Sequence, residues 1–293
     1  MKNFLYKSYI KSVPLLHRGK IRDVYSISIH KLLIVTSDRV SAFDKNINNP
    51  IPYKGILINR LNKFWFRKIK NLVPNHMIDI SSKKFLNYCE FNQIKNRYMI
   101  VKKLKPIRIE SIIREYLVGS IWYNYKKNGF VYDLDLPKHI NYASKLPKIL
   151  FTPSIKSSIG EFDKNIDFDY LSKNLGIEIS DKIISISMNI YKHAKKYALK
   201  KNIIIADTKF EFGIDNEKNI YLIDEIFTPD SSRFLEVKNH EGINHHISLD
   251  KQILRNWINK KKLKYYSYNS LLSDDLIFCT INNFYRLHKL LIF

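Results

Sequence analysis

The segment from Ile203 to Arg233, IIIADTKFEFGIDNEKNIYLIDEIFTPDSSR, constrains the fold more than any other part of the chain. Two runs rich in isoleucine and aromatic residues flank Asp215-Asn216-Glu217-Lys218, a stretch of turn-forming composition. The pattern predicts a β-hairpin. Side chains alternate faces along a strand, so Asp207, Lys209 and Glu211 share one face, and Ala206, Thr208, Phe210 and Phe212 the other. With those four polar residues as the loop, Lys209 falls opposite Asp224, and cross-strand partners share a face. Carboxylates and a lysine then converge on one side. Such oxygen donors suit Mg²⁺, with Glu211 and Asp224 as ligands and Asp207 nearby; Lys209 suits the phosphates that the ion accompanies. Glu225 faces away in this register and reads either as a loop anchor or as half of a buried ion pair. The plainer reading of the acidic face is simple solvation. Thr228-Pro229-Asp230-Ser231-Ser232-Arg233, dense in phosphate-binding chemistry, follows directly and favours a nucleotide site.

Composition narrows the class. With 293 residues, 45% of them hydrophobic, the chain has enough apolar material for one large domain or two lobes and is not disordered. No apolar run approaches the ~20 residues that span a bilayer, and the lysine-dotted N-terminus lacks a signal-peptide core. Cys89 and Cys279 have no metal or redox spacing, so a reduced, cytoplasmic protein is expected. The net charge of +23 raises the possibility of nucleic-acid binding. The positive residues are mostly lysines spread along the whole chain, with one tight cluster at Lys260-Lys261-Lys262. That argues against a nucleic-acid groove, while leaving charge to attract anionic substrates.

The order of elements predicts an α+β fold with mainly antiparallel sheets. Residues 15–36 read as a hairpin, 56–70 as a helix, and Tyr98–Leu104 as a strand. Pro106 is a break between lobes of residues 1–105 and 106–293. A strand over Ile112–Leu117 leads into a helix over Ser120–Lys127, with further helices at Tyr170–Leu175 and Asp181–Lys201. Gly19-Lys20 alone is an ordinary turn, since no Walker pattern is present; Lys20 and Arg22 share a strand face. Lys102 and Lys103 are adjacent on a strand, so only one can face a given ligand.

Six blocks carry a resemblance: HRGKIRDVY (17–25), TSDRVSAFD (36–44), VKKL (101–104), ESIIREYLVGS (110–120), FTPSIKSSIGEFD (151–163), and IADTKFEFG with IDE and TPDSSR (205–233). In this order they resemble the phosphoribosylaminoimidazole-succinocarboxamide synthase (SAICAR synthetase) family over about residues 15–257. The resemblance implies two α+β lobes around an ATP-grasp-like cleft. It implies an ATP- and Mg²⁺-dependent ligase that joins L-aspartate to CAIR through an acyl phosphate, as a monomer or small homo-oligomer binding neither nucleic acid nor membrane.

The same resemblance assigns the residues. Gly19, Lys20 and Arg22 cover ATP phosphates, together with Lys102 or Lys103 and Lys209. Main-chain groups of Leu104 to Ile107 meet adenine. Arg114, Ser120 and Arg233 take the ribonucleotide 5′-phosphate, with Gly119 in the same substrate-binding block and Ser232 and Asp230 on the same ligand. Lys156 and Asp163, with Ser41, Asp44 and Lys54, belong to the substrate pockets. Lys209, Asp207 and Asp230 are the candidate catalytic groups, Asp230 also as a base. Tyr53, Val118, Ile155 and Phe162 depart from the family pattern. Beyond Trp257 the match fades, although the apolar content of the tail predicts packing onto the body.

Overall fold

Two antiparallel sheets carry the fold. The structure, a computed structural model, describes residues 4–43, 45–132, 134–155, 164–240, 243–260 and 272–293. Asp44, Lys156, Phe162 and Asp163 lie outside these residues. In chain order the first part holds strands β1 (Leu15–Arg18), β2 (Arg22–Ser28), β3 (Lys31–Thr36), β4 (Val40–Ala42) and β5 (Lys45–Ile47). Helix α1 (Lys54–Lys68), β6 (Met77–Ile78), a 3-10 turn (Ser82–Lys84), α2 (Tyr88–Ile94) and β7 (Tyr98–Lys102) follow. The first sheet has the order β1-β2-β3-β7-β6, and β4 and β5 form a separate ladder. The predicted hairpin over residues 15–36 is thus a three-strand meander, since the chain turns at Gly19-Lys20 as well as at Ile29-His30.

The second part begins with β8 (Lys105–Tyr116), α3 (Gly119–Asn128), β9 (Phe130–Val131), β10 (Leu134–Asp135), β11 (Lys145–Phe151), β12 (Ser154–Ile155) and β13 (Lys164–Asn165). It continues with α4 (Phe168–Leu175), α5 (Ile177–Leu199), β14 (Ile203–Ile214), β15 (Ile220–Ile223), β16 (Ser232–His240), β17 (Ile243–Ser248), α6 (Gln252–Lys260) and α7 (Asp274–Ile292). The larger sheet runs β13-β12-β8-β14-β16-β17, with β11 also on β8 and β15 on β14. The α+β expectation holds.

Pro106 does not break the chain. It is the second residue of β8, opposite Gly213, where the β8–β14 register shifts. A residue with no N–H is tolerated at such a place. The passage between sheets falls at residues 103–104 instead. Both sheets share one core. Ile34, Met99 and Val101 of the first sheet join Trp65 and Phe66 of α1, Ile183 and Ile190 of α5, and Phe210 and Phe212 of β14. Burying each of these large side chains stabilises the fold by roughly 1.5–3 kcal/mol. The tail packs as its composition predicted: Leu276, Phe284, Leu287 and Leu291 of α7 are buried, and α7 lies against α1. Among the described residues, no helix is long and apolar enough to cross a membrane.

Two local irregularities decide which side chains face the site. Ile205 pairs with Phe234 but Asp207 with Arg233, so Ala206 is an extra, bulged residue. The bulge puts Ala206 with Ile204, Tyr116 and Val118, away from the cluster that holds Phe210 and Phe212. The expected grouping of Ala206 with Thr208, Phe210 and Phe212 therefore fails. The hairpin register also differs by one. Glu211 pairs with Ile223 and Ile214 with Ile220, so residues 215–219 form a five-residue loop. Asp215 explains the extra residue, because its carboxylate accepts from the backbone N–H groups of Glu217 and Asn219. The predicted ladder pairing of Lys209 with Asp224 therefore fails, since β15 ends at Ile223 opposite Glu211.

Candidate active site

The site is built on one face of β14 and its neighbour β8. Opposite Asp207, Lys209 and Glu211 stand Arg114, Ile112 and Glu110. The predicted sharing of a face by Asp207, Lys209 and Glu211 holds, and each finds a charged partner. Asp207 accepts from Arg114 Nη1 at 3.0 Å and from Arg233 Nη1. Lys209 Nζ donates to Glu110 Oε1 at 2.6 Å and stands 3.7 Å from Glu211 Oε1. Burial would lower the Lys209 pKa, yet Glu110 and Glu211 hold it above the ordinary lysine value. Lys209 is therefore a fixed cation, suited to phosphate and not to proton transfer.

Asp224 reaches this face in spite of the shifted register. Its φ of 66° takes it out of the strand alternation just after β15 ends. Its carboxylate accepts a hydrogen bond from Arg22 Nη2 at 2.9 Å and stands in ion-pair contact with Nη1 at 2.7 Å. Arg22 Nη2 also donates to Glu225 at 3.0 Å. Burial would lower the Arg22 pKa, but Asp224, Glu225 and Glu211 together hold it above the ordinary value. Glu225 unites both readings offered for it: it pairs with Arg22 and accepts from Thr228 Oγ1, so it anchors the 228–233 loop. Glu211 and Asp224 thus stand where positive charge collects. Two carboxylates beside Arg22 and Lys209 fit Mg²⁺, which takes few protein ligands and completes its shell with phosphate oxygens and water. No group of three or more metal-ligating side chains occurs among the described residues.

The turn at Gly19 closes with its N–H on Arg22 O at 2.7 Å, and Lys20 is exposed beside it. Lys102 and Lys103 both line a hollow of about 380 Å³ with His30, Leu104, Lys105 and Tyr221. Strict alternation does not separate them, because β7 ends at Lys102. The Lys102 ammonium lies 4.6 Å from the Tyr221 ring centre.

At the other end of the face, Gly119 opens α3 with φ 61°, and a Cβ there would lie 2.5 Å from the Arg233 guanidinium. Only glycine allows that approach. Val118, the residue before the helix, provides no side-chain cap. The start of α3 and the exposed Ser120 thus lie beside Arg233, which shares Asp207 with Arg114, and helix N-termini flanked by guanidinium groups suit anions. Ser232 is not part of this group. Its hydroxyl bonds Thr208 Oγ1 at 2.7 Å on the opposite face from Arg233.

Asp230 and Lys54 are both buried and joined at 2.5 Å; Lys251 holds the second Asp230 oxygen at 3.0 Å and donates to Ser41 O at 3.1 Å. Burial would raise the Asp230 pKa, but Lys251 and Lys54 hold it well below the carboxylate range. So clamped, Asp230 is an acceptor and a weak base, contrary to the catalytic-base expectation. Ser41 contributes its carbonyl to this clamp.

Reading by blocks missed three groups. Glu110 shares the β8 face with Arg114, and the alternation that grouped the β14 residues would have found it. Lys251 and Arg255 of the α6 region had no signal beyond charge. Arg255 pairs with Asp250 at 3.2 Å and is pushed down by burial and by nearby Arg233. Arg114, Arg233, Arg255, Lys54 and Lys251 surround Asp207, Asp230 and Asp250, leaving a surplus of positive charge. Such a surplus suits anionic ligands.

Residues 15–270 match the family model described as SAICAR synthetase. The chain is 45% identical over 258 residues to the phosphoribosylaminoimidazole-succinocarboxamide synthase of Cupriavidus metallidurans, covering 88% of this chain and 85% of that protein. The Bordetella pertussis synthase is 43% identical over 88% of each chain. The solved SAICAR synthase of Saccharomyces cerevisiae, described as complexed with SAICAR, has a TM-score of 0.84 and 35% identity, covering 98% of this chain and 97% of that one. By the span of these matches and the face just described, the chain belongs to the SAICAR synthetase family, ligases that use ATP to join L-aspartate to CAIR in purine biosynthesis.

Proposed function

We propose that the β8–β14 face is where this ligation happens, with the reactants laid along it in order. The observation that carries the reading is the single charged face running from Arg114 and Asp207 through Lys209 to Glu110 and Glu211. Its two ends lie four residues apart on one strand, roughly 13 Å. A mononucleotide spans that interval with its 5′-phosphate at Arg114, Arg233 and the α3 terminus and its carboxylate near Lys209. Glu211 and Asp224 would hold Mg²⁺, which when bound offsets charge on the triphosphate and the transferring phosphoryl group. The adenine end of ATP lies toward the hollow at Lys102 to Lys105.

A carboxylate is a poor acyl donor, since its leaving group would be oxide. Transfer of the γ-phosphoryl group to CAIR gives an acyl phosphate and ADP. The amine of aspartate then attacks the acyl carbon and phosphate leaves. Lys209, kept charged by Glu110 and Glu211, neutralises the phosphoryl oxygens. Lys251 and Arg255 supply positive charge for the carboxylates of aspartate, and Asp230 orients Lys54 and Lys251. The reaction takes place in a cytoplasmic setting and needs no nucleic acid.

The test is ADP release with each of ATP, CAIR, aspartate and Mg²⁺ left out in turn. Release requires all four, and Glu211→Gln lowers turnover at least ~10²-fold while the far-UV spectrum is unchanged. Full turnover by Glu211→Gln would refute the metal assignment.

A further inference from the structure

Asp224 does not stand on a strand; it begins a turn of unusual backbone. Its φ is 66° and that of Phe227, three residues on, is 48°. Non-glycine residues pay roughly 1–2 kcal/mol each for this region, so the surroundings must impose it. Two anchors do so. Ile226 and Phe227 are fully buried, and the Phe227 ring packs 4.9 Å from Trp65 and 5.3 Å from Phe210. The second anchor is Asn62. This residue lies on α1, is 3% exposed, and clamps the turn with both ends of its amide. Asn62 Nδ2 donates to Asp224 O at 3.3 Å, and Asn62 Oδ1 accepts from Ile226 N at 2.9 Å. Asparagine is a poor choice inside a helix, since its side chain competes for backbone groups. Here that side chain is committed to a distant turn, across 162 residues of sequence.

We propose that Asn62 is a positioning residue for the metal–nucleotide site: its amide holds the Asp224 backbone so that the carboxylate faces Glu211 and Lys209. The inference rests on the reading of Glu211 and Asp224 as the cation's ligands and deepens it. Asn62 is buried and its amide bonds the turn, so it acts through Asp224. It bonds one acceptor and one donor of the turn, and an apolar replacement removes both bonds, the one to the Ile226 N–H being buried. Groups that orient a metal ligand in this way typically change metal affinity about 10–100-fold when removed.

The experiment measures Mn²⁺ binding in the presence of ADP, by the loss of the free-ion paramagnetic signal. The proteins are the wild type, Asn62→Leu, Asp224→Asn and the double variant. Binding of CAIR alone is measured by calorimetry on the same proteins. Asn62→Leu is expected to weaken Mn²⁺–ADP binding about 10-fold and CAIR binding less than about 2-fold. In the double variant, Asn62→Leu adds less than about 2-fold to the loss caused by Asp224→Asn, because both act through one carboxylate. Where Asn62→Leu fails to fold, Asn62→Ser, which is smaller and polar, replaces it. If Asp224→Asn binds Mn²⁺–ADP as tightly as the wild type, the metal reading itself fails. If Asp224→Asn weakens binding and the Asn62 variant does not, the positioning role is overturned and the metal reading stands. An equal loss of CAIR affinity, or full additivity in the double variant, would make Asn62 a general structural residue.

Discussion

His76 sets a dependence of stability on pH whose size follows from its surroundings. The residue lies on the strap that joins the two sheets: its N–H donates to Leu222 O at 3.1 Å and its carbonyl accepts from Lys102 N at 2.8 Å. The ring is 3% exposed and packs 5.1 Å from Phe66. Its Nε2 has no hydrogen-bond partner among the described residues. Burial pushes the imidazole down to about 3; Asp224 pulls the other way, and Arg22 adds to the fall. A histidine that resists protonation when folded, but not when unfolded, makes the unfolded chain bind the extra proton. Stability is full above the unfolded value near 6.5, then falls with pH until the folded value is reached. The slope is ~1.4 kcal/mol per pH unit, so the loss by about pH 5 is ~2 kcal/mol. Urea unfolding followed by tryptophan fluorescence at about pH 7 and about pH 5 reads this for the wild type and His76→Phe. Other titrating groups cancel in the comparison. The wild type should lose ~2 kcal/mol more than the variant between the two conditions. Equal losses would refute the reasoning, for they would mean that the ring protonates within the fold at little cost.

Two further perturbations test the energetics. Tyr53, which precedes α1 with φ 64° and an exposed ring, is strained without compensating burial; Tyr53→Gly should stabilise the protein by about 0.5–1 kcal/mol, seen as a rise of a few degrees in melting temperature, and a fall would show that the ring has a role in packing. Lys54→Met leaves Asp230 buried with Lys251 as its remaining partner and should cost about 3 kcal/mol. Arg67→Met breaks a pair with 55% and 73% exposed side chains and should cost under ~1 kcal/mol; comparable losses in the two variants would contradict the account of the Asp230 clamp.

The alternation of Asp207, Lys209 and Glu211 was legible because it follows from covalent geometry: an extended chain sends successive side chains to opposite faces whatever it packs against. The helical spacing of Ile183, Ile190 and Tyr191, and the turn chemistry around Asp215, are local in the same sense. The blocks around Arg114, Gly119 and Arg233 were legible as a family pattern. The reason for Gly119 was not, because the Arg233 guanidinium that it admits comes from β16, two strands away from β8 in the sheet. Ala206 shows where local reasoning stops. A bulge depends on how β14 pairs with β16, and that one residue reverses which side chains face the core. The five-residue loop at 215–219 likewise depends on Asp215 bonding across the turn, and it dislodged the predicted pairing of Lys209 with Asp224.

The sequence by itself determined an α+β chain with an acidic, lysine-bearing hairpin and the residue types for phosphate and magnesium. Only the tertiary structure decided their roles. Folding brought Lys54 and Lys251 onto Asp230, Arg22 onto Asp224 and Asn62 onto the turn that carries it. Those contacts join residues far apart in the chain. A carboxylate's charge state and direction are set by what is buried beside it, and no local pattern of residues specifies that.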